Sequence, residues 1–325
     1  MTTKRFIGNL VLALCGVIVA HAAWAQEYPV KPIRLIVPNP PGGGNDVIAR
    51  MFAQKLSEAW GQQVVVENRG GAGTTIGTAF VAHAAPDGYT LMVSLVSSHA
   101  VSPNLYRDPG YDPIKDFTPI TVLVVSPMLL GVTPSFPAKS MRELIALARK
   151  KPGTITYASG GSGSPMHMSV EIFKSMAGID LVHIPYKGGG PAQLGIAIGE
   201  AYMGISTTGS MLSMVQARRI RALAVGRAAR LTDHPDLPTF AEAGMPGYHT
   251  NTWYSVHAPA GTPDAIADKL NKELVHILGL ADIKERLRQL SSDGVGYTRE
   301  QTGVFVKHEL AKYAKVIKDA GIKGE

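Results

Sequence analysis

The sequence predicts an α/β protein built as two lobes joined by strands that cross between them. Three observations carry this reading. Short β-branched runs alternate with segments of helical period, glycine-rich loops stand at the strand-to-helix junctions, and two such αβ units follow one another with no low-complexity linker between them.

Residues 33–37, bounded by Pro32 and Pro38, read as the first strand. A loop through Gly42, Gly43 and Gly44 leads to a helix over 46–60, with Val47, Ile48, Met51, Phe52, Leu56 and Trp60 at helical spacing. Residues 64–67 form a second strand, a glycine loop opens an apolar helix through Ala85, and 89–96 form a third strand. After a Pro- and Asp-rich stretch, 120–125 and 128–132 read as two strands, 141–150 as helix and 155–158 as strand. The loop 159–164 precedes a helix through Met176; 181–184 is strand, and 185–190 is loop before a helix from Pro191. Strands at 202–205 and 220–225 flank a helix around Met211, 253–258 is strand, and helices at 263–278, 283–290 and 299–320 close the chain. The expected lobes are 26–124 with 252–325, and 125–251, with crossings near 121–125 and 252–256.

The start of the chain has the layout of a secretory signal peptide: Lys4 and Arg5, an apolar run over 10–20, and an A-x-A end at Ala23 and Ala25. The apolar run is short of the ~20 residues of a membrane span. Cys15 follows Leu14, a poor fit to a lipoprotein site, so cleavage after Ala25 and a periplasmic location are expected over an uncleaved anchor. Cleavage removes the one cysteine of the chain, excluding disulfides and thiolate metal sites from the mature protein. It also lowers the formal charge of +7 to +5, a modest surplus of scattered Lys and Arg that excludes a nucleic-acid footprint.

Thirteen glycines fall into four strand-to-helix clusters: 42–44; 70, 71, 73 and 77; 160, 161 and 163; and 188–190. Helix N-termini present free N–H groups and the positive end of the helix dipole, and glycine lets a ligand approach the backbone. The clusters therefore suit an anion held between two lobes, although each taken singly is also an ordinary tight turn. No Gly-Lys pair exists for a Walker loop, and the run 71–77 misses the dinucleotide spacing by one residue. A carboxylate suits the same donors, and no cofactor is expected.

Catalytic motifs are missing: there is no G-x-S-x-G, no H-E-x-x-H, and no metal-ligand spacing among the histidines. The chain is therefore read as a non-enzyme, with an exported carboxylate-processing enzyme as the alternative. Asp46 is most simply a helix N-cap. Lys187 is the best-placed charge for a carboxylate, or a solvated lysine. Ser97, Ser98, Ser159, Ser162, Ser164, Ser206 and Thr207 are candidate hydroxyl donors, and Trp253 is an apolar wall or ordinary core.

A set of ordered motifs runs along the chain: YPVKPIRLIVP at 28–38 with PGGGND at 41–46, ENR at 67–69 with GAG at 71–73, and PDGYTL at 86–91. DFTPI at 116–120, YAS at 157–159 with Gly161 and Gly163, HIPYKG at 183–188 and APAGTP at 258–263 complete it. This set resembles one known family, the Bug (TctC-like) solute receptors of tripartite tricarboxylate transporters. The resemblance implies a two-lobed periplasmic binding protein of type II, a Venus flytrap. It implies a small organic carboxylate as ligand and, as partners, the membrane subunits of a transporter, with a sensor ectodomain as the alternative. The protein is read as a monomer. The resemblance also implies ligand contacts from the first glycine loop and Asp46, from Ser159, Gly161, Ser162, Gly163 and Ser164, and from Tyr186, Lys187 and Gly188. Two departures from the family stand out: Asn39 replaces an aromatic, and Ile205-Ser206-Thr207 stands where a Phe-Asp pair is usual. Losing an acid at 206 favours a plain or aromatic carboxylate over an amino acid.

Overall fold

The computed structural model describes residues 28–248, 250–319 and 321–322; the leader and its cleavage point lie outside them. The first strand, β1 (Ile33–Val37), is almost wholly buried, as its unbroken β-branched run requires. It is followed by α1 (Gly44–Trp60), β2 (Val64–Asn68), α2 (Thr75–Ala82) and β3 (Thr90–Leu95). A wide π-type turn over Ser97–Val101 and the short α3 (Ser102–Leu105) come next, neither foreseen from the sequence.

The 16-residue β4 (Phe117–Val132) runs through both halves of one sheet. Two separate strands were expected here. Pro127 does not interrupt the strand, because its pairing with Asn251 ends one ladder just as Met128 begins another with Thr207. Next come α4 (Met141–Lys150), β5 (Thr156–Ser159), α5 (Pro165–Ala177), β6 (Val182–Pro185), α6 (Gly189–Ile198), β7 (Met203–Thr207), α7 (Thr208–Gln216) and β8 (Arg221–Val225). The chain then returns through β9 (Asn251–Pro259) to α8 (Asp264–Leu278), α9 (Ala281–Gln289), β10 (Asp293–Gly294) and α10 (Arg299–Asp319).

The strand order is β2-β1-β3-β9-β4-β7-β5-β6, with β8 and β10 also paired to β4. In the first half β1 pairs parallel with β2 and β3, while β9 runs antiparallel between β3 and β4. In the second half β5 pairs parallel with β6 and β7, and β7 and β8 run antiparallel to the end of β4. Each half has its own apolar core. Leu35, Phe52, Leu91 and Leu270 belong to the first, and Leu144, Tyr157, Phe173 and Phe240 to the second. A further cluster joins Val101 and Trp253 of the first half to Met168 of α5 in the second. The result is a two-lobed α/β fold, and among the described residues no helix is long and apolar enough to cross a membrane.

Candidate ligand cleft

Four helices begin at one place. The loop 39–43 ends β1 and delivers α1, capped by Gly43 in extended conformation. Ser164 caps α5 by accepting the His167 N–H at 3.2 Å, with Pro165 at the first helical position. Gly188 precedes α6 and Thr207 precedes α7. Residues from all four N-termini line a cleft of about 270 Å³ between the two halves of the sheet. Their free N–H groups and dipoles give its wall partial positive charge. Among the described residues that line it there is no Asp or Glu, and Lys187 is the one full charge, exposed at the rim.

The first-half wall is held from behind. Asp46 does not cap α1 as expected; it lies within the first turn and reaches back to accept the Gly42 N–H at 3.0 Å. Its carboxylate also takes a hydrogen bond from Asn68 at 3.0 Å and pairs with Arg50 at 3.0 Å. Burial favours the protonated acid, but the bonds from Arg50, Gly42 and Asn68 outweigh it and hold the carboxyl below its ordinary range. Asn45 gives its side-chain N–H to the carbonyl of Val93 at 2.9 Å, which leaves Oδ1 as an acceptor without a partner among the described residues. Thr252 Oγ1 is likewise unpartnered, and both residues are buried and line the cleft. A Cβ on Gly44 would collide with the Tyr254 hydroxyl, so glycine is what lets α1 start against β9.

The second-half wall is two glycine loops packed backbone to backbone: a Cβ on Gly160 would come within 3.2 Å of Gly188 and Gly189. Behind them His183 Nε2 meets Ser159 Oγ at 2.6 Å, and His167 Nδ1 accepts the Gly163 N–H at 3.2 Å. Burial and then the neighbouring His167 push the His183 imidazole down to about 4, and burial lowers His167 as well. Both rings are therefore neutral scaffold at neutral pH. Ser159 with His183 is not a nucleophile pair facing the cleft: the serine is fully buried and also donates to the carbonyl of Gly161.

Of the candidate residues, Gly42, Gly43, Gly44, Ser164, Lys187, Gly188, Ser206 and Thr207 are brought together on the cleft wall. Asp46 stands behind it, as do Ser159, Gly161, Ser162 and Gly163, whose loop meets the cleft through Gly160 and Ser164 instead. Ser97 is buried and bonded to the carbonyl of Gly163, and Ser98 to that of Leu95, each at 3.0 Å. Tyr186 turns outward and donates to Glu200 at 3.0 Å. Trp253 is fully buried in the joining cluster, with its indole N–H on Glu309 at 3.0 Å, so it is core and not cleft wall. Its neighbours Thr252 and Tyr254 line the cleft instead, as the alternation of a strand demands.

Sequence reasoning missed Asn45, Gln193, Ser210, Thr252 and Tyr254. The signal for the first three was position: each lies within five residues of a helix start that follows a candidate loop.

Comparison with known proteins agrees with this architecture. Residues 48–322 match the family described as tripartite tricarboxylate transporter family receptor, TctC. Protein BugT of Bordetella pertussis is 35% identical over 319 residues, covering 96% of this chain and 98% of that protein. The structure of Rpa4515 from R. palustris with adipate is 38% identical, with a TM-score of 0.88, over 92% of this chain and 100% of the other. MatC from Rhodopseudomonas palustris, with bound malate, is 30% identical with a TM-score of 0.82, over 89% and 100%. With the two-lobed sheet and a cleft ringed by helix starts, this chain belongs to the TctC family of tripartite tricarboxylate transporter receptors.

Proposed function

We propose that the protein is a periplasmic receptor that closes on a small organic carboxylate and delivers it to the membrane subunits of a tripartite transporter. The observation that carries this is the meeting of four helix N-termini on one cleft whose lining has no acidic side chain. Such a wall favours an anion with several hydrogen-bond acceptors, which describes a carboxylate. The relatives solved with adipate and malate support it, because both ligands are dicarboxylates. The same reading takes 26–124 with 252–325 as one lobe and 125–251 as the other. A ligand touching both shifts the population toward the closed form. It takes the mature, monomeric chain to begin at Gln26, which N-terminal sequencing of the exported protein checks.

The test is thermal melting of the mature protein against mono-, di- and tricarboxylates. A ligand at a hundred times its Kd adds about 2.7 kcal/mol of stability. Stabilisation by at least one acid, with that acid recovered unchanged, is expected. Absence of any shift, or conversion of the acid, overturns the receptor reading.

A further inference from the structure

We infer that Gln193 is a positioning residue that leaves the Ser206 hydroxyl a donor in the cleft, and so selects a ligand whose group there is a carboxylate and not an ammonium. This rests on the receptor reading above. Gln193 stands one turn into α6, is 6% exposed, and lines the cleft with Ser206 and Ser210. Its amide nitrogen lies 2.8 Å from Ser206 Oγ and 2.7 Å from Ser210 Oγ. The direction of these bonds follows from Thr207. Ser210 has one proton and two acceptors on Thr207, the carbonyl at 3.0 Å and the hydroxyl at 2.6 Å, so with its proton on Thr207 it accepts from Gln193. That places the NH2 end of the amide on both serines, and Ser206 accepts as well.

With Gln193 on one lone pair, Ser206 keeps a hydroxyl proton with no acceptor among the described residues, on a residue only 3% exposed. A buried donor left unmade is costly, so a ligand oxygen there is favoured. An ammonium in its place would leave that proton unpaired and bring further protons toward a wall of N–H groups.

The experiment measures Kd by calorimetry for succinate, glutarate and adipate and for their 2-amino counterparts aspartate, glutamate and 2-aminoadipate. Wild type is compared with Gln193→Glu and Gln193→Met. The glutamate variant accepts where the amide donates, drawing the serine protons away from the cleft. It should weaken the preferred dicarboxylate by about tenfold or more and raise the amino-to-plain affinity ratio. The methionine variant keeps the volume; it should weaken the dicarboxylate without raising that ratio. Equal loss for both ligand series in Gln193→Glu, or no loss in either variant, overturns the assignment. Failure of wild type to bind any of the dicarboxylates removes the dicarboxylate reading itself, and this inference with it.

Discussion

Ser97 Oγ donates to the carbonyl of Gly163 at 3.0 Å, tying the π-type turn after β3 to the loop after β5 across the two halves of the sheet. Gly163 has φ of +72° and lies against Val101 and Leu105, so the loop sits close to the turn, and the contact is buried. Ser97→Ala leaves that carbonyl unpaired only where the halves meet. The substitution should lower the stability of the free protein by about 1 kcal/mol and, where closure tightens the contact, weaken ligand binding roughly fivefold in Kd. Calorimetric titration beside a melting curve separates the two. An unchanged Kd would mean that the bond persists equally in open and closed forms.

Asp46 organises the first glycine loop without facing the cleft. Asp46→Ala removes the acceptor of the Gly42 N–H and of Asn68, and the partner of Arg50. Hydrogen bonds to a charged group are worth about 1.5–3 kcal/mol, so a loss near 2 kcal/mol in denaturant melts is expected, together with weaker ligand binding. Asp46→Asn keeps the shape and should recover part of both. Because the carboxyl is held below its ordinary range, its contribution is present at neutral pH and fades as pH falls toward that lowered value.

How much of this was legible in the sequence depended on the kind of signal. The αβ alternation and the glycine loops follow from local chemistry, and the loops that bring Gly42–Gly44 and Gly188 to the cleft could be read directly. Facing could not be read. In β9 a one-residue choice separates Thr252 and Tyr254, which line the cleft, from Trp253, which is core, and both faces of that strand are apolar enough to be buried. Ser97 and Ser98 follow a strand as a ligand donor would, yet their partners are backbone carbonyls that only tertiary packing brings near. Gln193 carries no motif; its meaning arises from two serines 13 and 17 residues away.

Acid should destabilise the protein through its buried histidines. His99 and His257 lie with ring centroids 4.2 Å apart and planes tilted by 30° in the first half; burial lowers His99 strongly, with His257 adding to it, and pushes His257 down to about 3. His183 lies at about 4. Each is neutral in the folded chain while the unfolded chain protonates near its ordinary 6.5. Stability is thus full above that pH and is lost as pH falls from about 6.5 toward 3 to 4. Melting temperature should drop steeply between pH 6.5 and 4.5, and His257→Gln should flatten the slope by about one proton. A level profile, or an unchanged slope in the variant, would contradict the burial of these rings.

The two faces of β9 give the sharpest separation of stability from binding. Trp253→Phe takes the indole N–H from Glu309, a carboxylate only 5% exposed that retains Lys312 at 3.1 Å. A cost of about 1–3 kcal/mol in stability is expected, with ligand affinity unchanged. Thr252→Val does the reverse. Its hydroxyl is buried and has no hydrogen-bond partner among the described residues, so an apolar group of the same shape should leave the free protein as stable or slightly more so. Affinity should fall, because the hydroxyl faces the ligand side. If Trp253→Phe weakens binding as much as Thr252→Val, the strand does not divide its labour by face, and the cleft reaches deeper into the joining cluster than its lining residues indicate.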